Sequence, residues 1–122
     1  MKILIVEDDK FLRETLAKKF IAQGLQVEAA VDGKNALDII KRFTPDLVVL
    51  DLLLPDTNGF EVLAGMKKDP KFTATPVIVL SNLDKPDDMQ KAKGLGAKDF
   101  MVKSNFTLNE IVNRVKSTLG IV

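Results

Sequence analysis

The chain has 122 residues, enough for one domain with a sizeable core, and its 46% hydrophobic and 29% charged residues are ordinary for a globular protein. Its 18 basic residues nearly balance 17 acidic ones, so a formal net charge of +1 gives no electrostatic case for nucleic acid or a membrane surface. The absence of cysteine and histidine excludes disulfides, thiol catalysis and imidazole bases, leaving carboxylates, hydroxyls, lysine and backbone for any chemistry.

The opening MKILIVEDD lacks the long apolar core of a signal peptide, and Ile3–Val6 is a continuous apolar run of the kind buried on both faces of a sheet. Leu12, Leu16 and Phe20 then recur at helical spacing, and Gly24 stands in the usual stop position. Gln26–Ala30 is a weaker strand. After Asp32 and Gly33 a helix carries Ala36, Ile40 and Phe43 on one face, with Pro45 just beyond it. Leu47–Leu50 is the third strand, and Asn58-Gly59 opens a helix through about Lys68. Pro76 introduces a fourth strand, Val77–Leu80. The next helix starts near Asp84–Pro86, with Asp87 and Asp88 at the positive end of its dipole, and ends at Gly94 or Gly96. Strand five is Asp99–Val102. Leu108, Ile111, Val112, Val115 and Leu119 then mark the cleanest amphipathic helix in the chain.

Five strand-then-helix units with short connections predict an α/β domain: a five-stranded parallel sheet, doubly wound, with helices on both faces. An eight-unit barrel needs roughly twice this length. The expected strand order is 2-1-3-4-5, the flavodoxin-like arrangement, whose ligands bind at the carboxyl ends of strands 1 and 3. No apolar run approaches the roughly 18 residues that span a bilayer, and the chain reads as cytoplasmic. Charge is uneven along it: residues 1–61 carry 8 basic and 11 acidic side chains, residues 85–122 carry 7 and 4.

The residues that follow the strands carry the functional signal. Strand 1 runs into Glu7, Asp8 and Asp9, strand 3 into Asp51, strand 4 into Ser81 and strand 5 into Lys103. Strand 2 ends in Ala30 and Val31, with nothing reactive, and in the expected order it is an edge. The polar ends therefore fall on four contiguous strands, where such folds bind ligands. Each has a plainer reading. Asp8 or Asp9 can simply cap the first helix, Ser81 can be a turn hydroxyl, and Lys103 can be a solvated lysine. Asp51 resists such a reading, because no helix cap precedes Leu52, Leu53, Leu54 and Pro55. A carboxylate amid Leu and Val is costly to bury unless it is paired or bound to a cation.

Neighbouring carboxylates repel, and burial raises their charged forms further; a hard divalent cation relieves both problems. Mg²⁺ takes oxygen ligands and typically uses one or two carboxylates plus a phosphate. Lys103 adds a second positive charge and Ser81 a hydroxyl donor, a set that suits a phosphoryl group. Asp51 is then either a metal ligand or the nucleophile.

Glu7-Asp8, Asp51 with Pro55 and Gly59 after it, Ser81 and Lys103, in this order and over the whole chain, resemble the receiver domain of two-component response regulators. The resemblance implies a single receiver domain over 1–122, with no output domain in the chain. It implies that Asp51 accepts phosphate from a phosphohistidine on a sensor histidine kinase or histidine phosphotransfer protein, with Lys103 and Ser81 as its catalytic partners. Asp8, Asp51 and the Leu53 backbone carbonyl would hold Mg²⁺ (or Mn²⁺), with Glu7 acting through a water. Ser81 and Phe100 would form a two-state switch read out on the surface of helix 4, strand 5 and helix 5 by an output protein or domain. Membranes and nucleic acid are not expected as partners, and the chain, lacking histidine, is not its own phosphodonor.

Three positions depart from the family pattern. Ser104 replaces the usual proline after Lys103, Asn82 replaces a small residue after Ser81, and Phe100 lacks the hydroxyl of the frequent tyrosine. Leu53 and Leu83, each two past a site residue, are expected to shield an acyl phosphate from water and slow its hydrolysis. Phe100, Val102, Met89 and Phe106 are candidates for an apolar docking patch, with core packing expected for at least two. Three rivals differ in chemistry. An aspartate-nucleophile phosphatase needs a second Asp where Leu53 stands, and a flavodoxin-type cofactor binder needs a phosphate loop where EDDKF stands. A phosphorylation-independent docking scaffold would need none of Asp8, Asp51, Ser81 and Lys103.

Overall fold

A strand that is apolar on both faces must be covered on both faces, and the computed structural model, which describes residues 1–121, shows how this is done. Its elements are β1 (Lys2–Val6), α1 (Lys10–Ala22), β2 (Gln26–Ala30), α2 (Gly33–Phe43), β3 (Leu47–Leu50), α3 (Gly59–Lys68), β4 (Val77–Ser81), α4 (Pro86–Gly94), β5 (Asp99–Val102), a 3₁₀ turn (Lys103–Asn105) and α5 (Leu108–Leu119). The strands pair in the order β2-β1-β3-β4-β5, all parallel, as the sequence predicts.

The two-residue period of a strand divides each apolar run between two cores. Ile3 and Ile5 of β1, Val49 of β3 and Ile78 of β4 pack with Leu16 and Phe20 of α1 and with Ile111 and Val115 of α5. Leu4, Val6, Val48 and Val79 point the other way, onto Ile40 of α2, Leu63 and Met66 of α3 and Ala92 of α4. Helices α1 and α5 thus cover one face, and α2, α3 and α4 the other. Among the described residues, no helix is long and apolar enough to cross a membrane.

Helix ends follow local chemistry. Asp9 caps α1 by accepting from the Leu12 amide at 3.0 Å, and Thr107 and Glu110 form a reciprocal capping box on α5. Two strands run one residue beyond their expected ends. Lys2 begins β1 opposite Gln26, and Ser81 completes β4 opposite Val102. The 3₁₀ turn was not legible in the pattern; all peptide bonds among the described residues, Lys103–Ser104 included, are trans.

Helix α3 starts directly against the end of β3. The Gly59 amide donates to the Leu52 carbonyl at 2.7 Å. A Cβ at Gly59 would lie 2.5 Å from the Asp51 carbonyl oxygen and 2.6 Å from the Leu52 Cα, both backbone and unable to yield. Gly59→Ala is therefore expected to cost about 3 kcal/mol in urea unfolding. Gly94→Ala, where a Cβ meets nothing within 4 Å, should change stability by less than about 1 kcal/mol, toward stabilisation. Equal effects at the two positions would refute the close approach at Gly59.

Candidate functional site

Val6 and Leu50 are register partners in β1 and β3, so the residues that follow them, Glu7 and Asp51, leave the sheet side by side. Backbone bonds fix both: the Glu7 amide donates to the Ala30 carbonyl and the Asp51 amide to the Val6 carbonyl, each at 3.0 Å. Both residues are buried, at 2% and 3% exposure, while Asp8 is exposed. One carboxylate oxygen from each of Glu7, Asp8 and Asp51 falls in a group within 4.8 Å.

Lys103, just past β5, reaches across the end of β4. Its Nζ lies 2.7 Å from Glu7 Oε1 and 2.7 Å from Asp51 Oδ2. The remaining oxygens are also engaged. Asp51 Oδ1 accepts from the Leu53 amide at 3.0 Å, and Glu7 Oε2 from the Asp9 amide at 3.1 Å. Arg13 donates to the carbonyls of Glu7 at 2.9 Å and Asp8 at 3.3 Å, holding the turn between β1 and α1 in place. Ser81 is fully buried at the end of β4, and its Oγ accepts from the Leu83 amide at 3.4 Å.

Burial pushes the Glu7 carboxyl up, outweighing the Lys103 ammonium and the Asp9 amide that favour its charged form; the charge of Asp51 adds to the rise. Burial alone would lower the Lys103 ammonium, but its hydrogen bonds to Asp51 and Glu7 prevail and raise it. One ammonium among three carboxylates leaves a rim that can be negative overall and attractive to a cation. The donor set is all oxygen, which suits Mg²⁺ or Mn²⁺ rather than a soft metal. One carboxylate oxygen from each of Glu7, Asp8 and Asp51 lies close enough to the others for the three to hold a single ion.

Residues 3–116 match the family described as the response regulator receiver domain. The chain belongs to that family. It is 36% identical over 118 residues to the probable transcriptional regulator ycf27 of Porphyridium aerugineum, covering 97% of this chain and 48% of that protein. The chain spans about half the length of such curated relatives, MprA of Mycolicibacterium vanbaalenii among them, at 34% identity over 98% of this chain and 50% of that protein. In structure it resembles the non-phosphorylated HemR receiver domain of Leptospira biflexa, with a TM-score of 0.90, 33% identity and coverage of 99% and 95% of the two chains. It also resembles the Mn²⁺-bound form of the response regulator Rcp1, with a TM-score of 0.82, 28% identity and coverage of 95% and 91%. Receiver domains are signalling modules of two-component systems that bind Mg²⁺ at an acidic pocket and work with histidine kinases and output domains.

The receiver brings Glu7, Asp8, Asp51 and Lys103 into one cluster, with Ser81 on the strand end between Asp51 and Lys103. The ambiguity between Asp8 and Asp9 resolves cleanly: Asp9 is the helix cap, which leaves Asp8 for the cluster. Phe100 sits on β5 opposite Val79, partly buried against the core under α2, α3 and α4. Of the four candidates for an apolar patch, Val102 is buried and Phe100 and Phe106 pack on the two cores, so core packing accounts for three. Sequence reasoning did not anticipate the Lys103–Glu7 pair, the Arg13 contacts, or Asp56, whose carboxylate bonds the first amides of α2. Arg13 lies within two turns of Glu7 and was open to a local argument; Asp56 acts on residues more than twenty positions upstream and had no local signal.

Lys103→Met leaves two buried carboxylates facing each other without their ammonium. In metal-free buffer at neutral pH it is expected to cost about 3 kcal/mol in urea unfolding, and to cost less in an Asp51→Asn background. Because the ammonium is raised, its contribution is present below the ordinary lysine range and is lost only as pH rises through the higher folded value. An unchanged unfolding midpoint for Lys103→Met would show that the pair carries no stability.

Proposed function

We propose that this receiver accepts a phosphoryl group on Asp51 from the phosphohistidine of a sensor histidine kinase or histidine phosphotransfer protein. The observation that supports this best is the placing of the Asp51 carboxylate: buried, aimed by the Leu53 amide through Oδ1, and paired with Lys103 through Oδ2. An Asp51 oxygen attacks phosphorus as the bond to the histidine nitrogen breaks, and the imidazole leaves. Asp8, Asp51 and the Leu53 carbonyl would hold Mg²⁺ or Mn²⁺, with Glu7 contributing through a water, and the ion would supply positive charge beside the phosphoryl oxygens; the likeness to Mn²⁺-bound Rcp1 supports such a site.

Lys103 can serve a phosphoryl oxygen by exchanging its contact with Asp51, and its raised ammonium stays charged through neutral pH. The Ser81 hydroxyl hydrogen bonds a further oxygen, drawing the segment before α4 with it. Phe100 then moves toward the space that segment leaves. Phosphate biases this equilibrium because it contacts Ser81 in one state only. The readout surface is α4, β5 and α5, facing an output protein or domain. Phe11, 78% exposed in the first turn of α1, and Leu53, 50% exposed after Asp51, offer a docking donor apolar contact beside the acceptor. On this reading residues 1–122 form one cytoplasmic signalling domain without turnover of its own.

The test is intact mass after incubation with a small acyl-phosphate donor or a phosphorylated histidine phosphotransfer protein, with and without Mg²⁺. Gain of one phosphoryl group that requires both Mg²⁺ and Asp51, and is absent in Asp51→Asn, is expected. No gain from either donor would overturn the proposal. The phosphorylated form should persist for minutes or longer, because Leu53 and Leu83, each two residues past a site residue, are apolar and disfavour water beside the acyl phosphate. Loss of the added mass within seconds in purified protein would contradict that shielding.

A further inference from the structure

The segment between β3 and α3 is closed largely on itself. Leu53 and Asn58 form an isolated antiparallel bridge, the Asn58 side chain caps the Glu61 amide at 3.1 Å, and the Thr57 hydroxyl bonds the Glu61 carboxylate. These ties stay within the loop and the first turn of α3. A different tie leaves it. Asp56 Oδ1 accepts from the Gly33 amide at 2.8 Å and Oδ2 from the Lys34 amide at 3.1 Å, so both oxygens grip the start of α2.

The grip is built rather than incidental. Asp32 already caps α2 in the usual way, accepting from the Asn35 amide at 2.8 Å, so Asp56 takes the two amides that Asp32 leaves free. Gly33 allows the approach, since a Cβ there would fall 2.1 Å from Thr57 Cγ2. The two amides hold the Asp56 carboxyl below the usual carboxylate range, so it remains an anion at neutral pH. The positive end of the α2 dipole favours the same state.

We infer that Asp56 is a positioning residue for the site: by anchoring the loop to α2 it fixes Leu53, whose amide aims Asp51. Leu53 lies two residues from Asp51 and three from Asp56, so motion of the loop apex reaches the Asp51 Oδ1 contact through a short length of chain. With Asp56 removed, the loop keeps its internal ties but loses this hold on α2, and the Leu53 amide spends part of its time off the Asp51 carboxylate. The consequence for the Leu53 carbonyl as a metal ligand rests on the function proposed above. The consequence for the Leu53 amide does not.

The experiment uses the full chain and three variants: Asp56→Ala, Asp56→Asn and Asp32→Ala. Asp32→Ala removes a cap from the same helix end without touching the loop, and so reports what weakening α2 does by itself. Hydrogen exchange at the Leu53 amide is the first readout, and Mn²⁺ affinity from the spin-resonance signal of the free ion is the second. Asp56→Ala is expected to speed Leu53 exchange about tenfold and weaken Mn²⁺ binding about fivefold. Asp56→Asn, which keeps one acceptor oxygen, should fall between, and Asp32→Ala should stay within about twofold of the native chain on both. Unchanged Leu53 exchange in Asp56→Ala, or an equal change in Asp32→Ala, overturns the inference. If the native chain takes up no Mn²⁺, the metal-dependent function fails, and the exchange rates still decide the role of Asp56.

Discussion

A single ammonium makes this site possible. Glu7 and Asp51 are buried on adjacent strand ends, and two carboxylates so placed cannot both stay charged without a cation between them. Lys103 provides it from β5, which lies two strands away from β3. Its path crosses the end of β4, where the residue is Ser81, small and fully buried.

The same bridge explains why the surrounding backbone is so heavily fastened. An ammonium shared by two carboxylates holds its value only while all three groups keep their places, because interactions at this range in a partly dry site are steep in distance. The Asp51 and Glu7 amides are tied into the sheet, the Leu53 and Asp9 amides hold the free carboxylate oxygens, and Arg13 fixes the carbonyls of Glu7 and Asp8. Gly59 lets α3 begin immediately behind Asp51. Rigidity here comes from backbone donors and a missing Cβ more than from bulk.

The fold was legible because its signals are local. Continuous apolar runs such as ILIV and LVVL mark strands covered on both faces, and Gly24, Pro45 and Pro76 punctuate them. The cluster was legible for a related reason: in a parallel sheet all strands end on one side, so polar residues after strands converge without any long-range information. What stayed hidden depended on pairings across the chain. Nothing near Lys103 announces Glu7 as its partner. Asp56 reads as an ordinary turn residue after Pro55, and only the packing of the β3–α3 loop on α2 gives it a helix to hold. Asp8 and Asp9 satisfy the capping pattern equally well, and the choice between them waits on which residue begins the helix. The Ser81 boundary differed by one residue because a strand ends where pairing stops, and its partner Val102 lies on another strand.

At the opposite end of the sheet, Lys67 of α3 donates to the carbonyls of Thr73 and Thr75, and its aliphatic stem lies against Gly96, where a Cβ would come within 3.1 Å of Cγ. Gly96, at φ +105°, is the turn between α4 and β5, so this contact clamps the far end of α4 to α3. Helix α4 is otherwise lightly held, with Ala92 its one buried residue. The clamp therefore sits at one end of α4, and Pro86 stands at the other, where the helix meets the segment that runs on from Ser81.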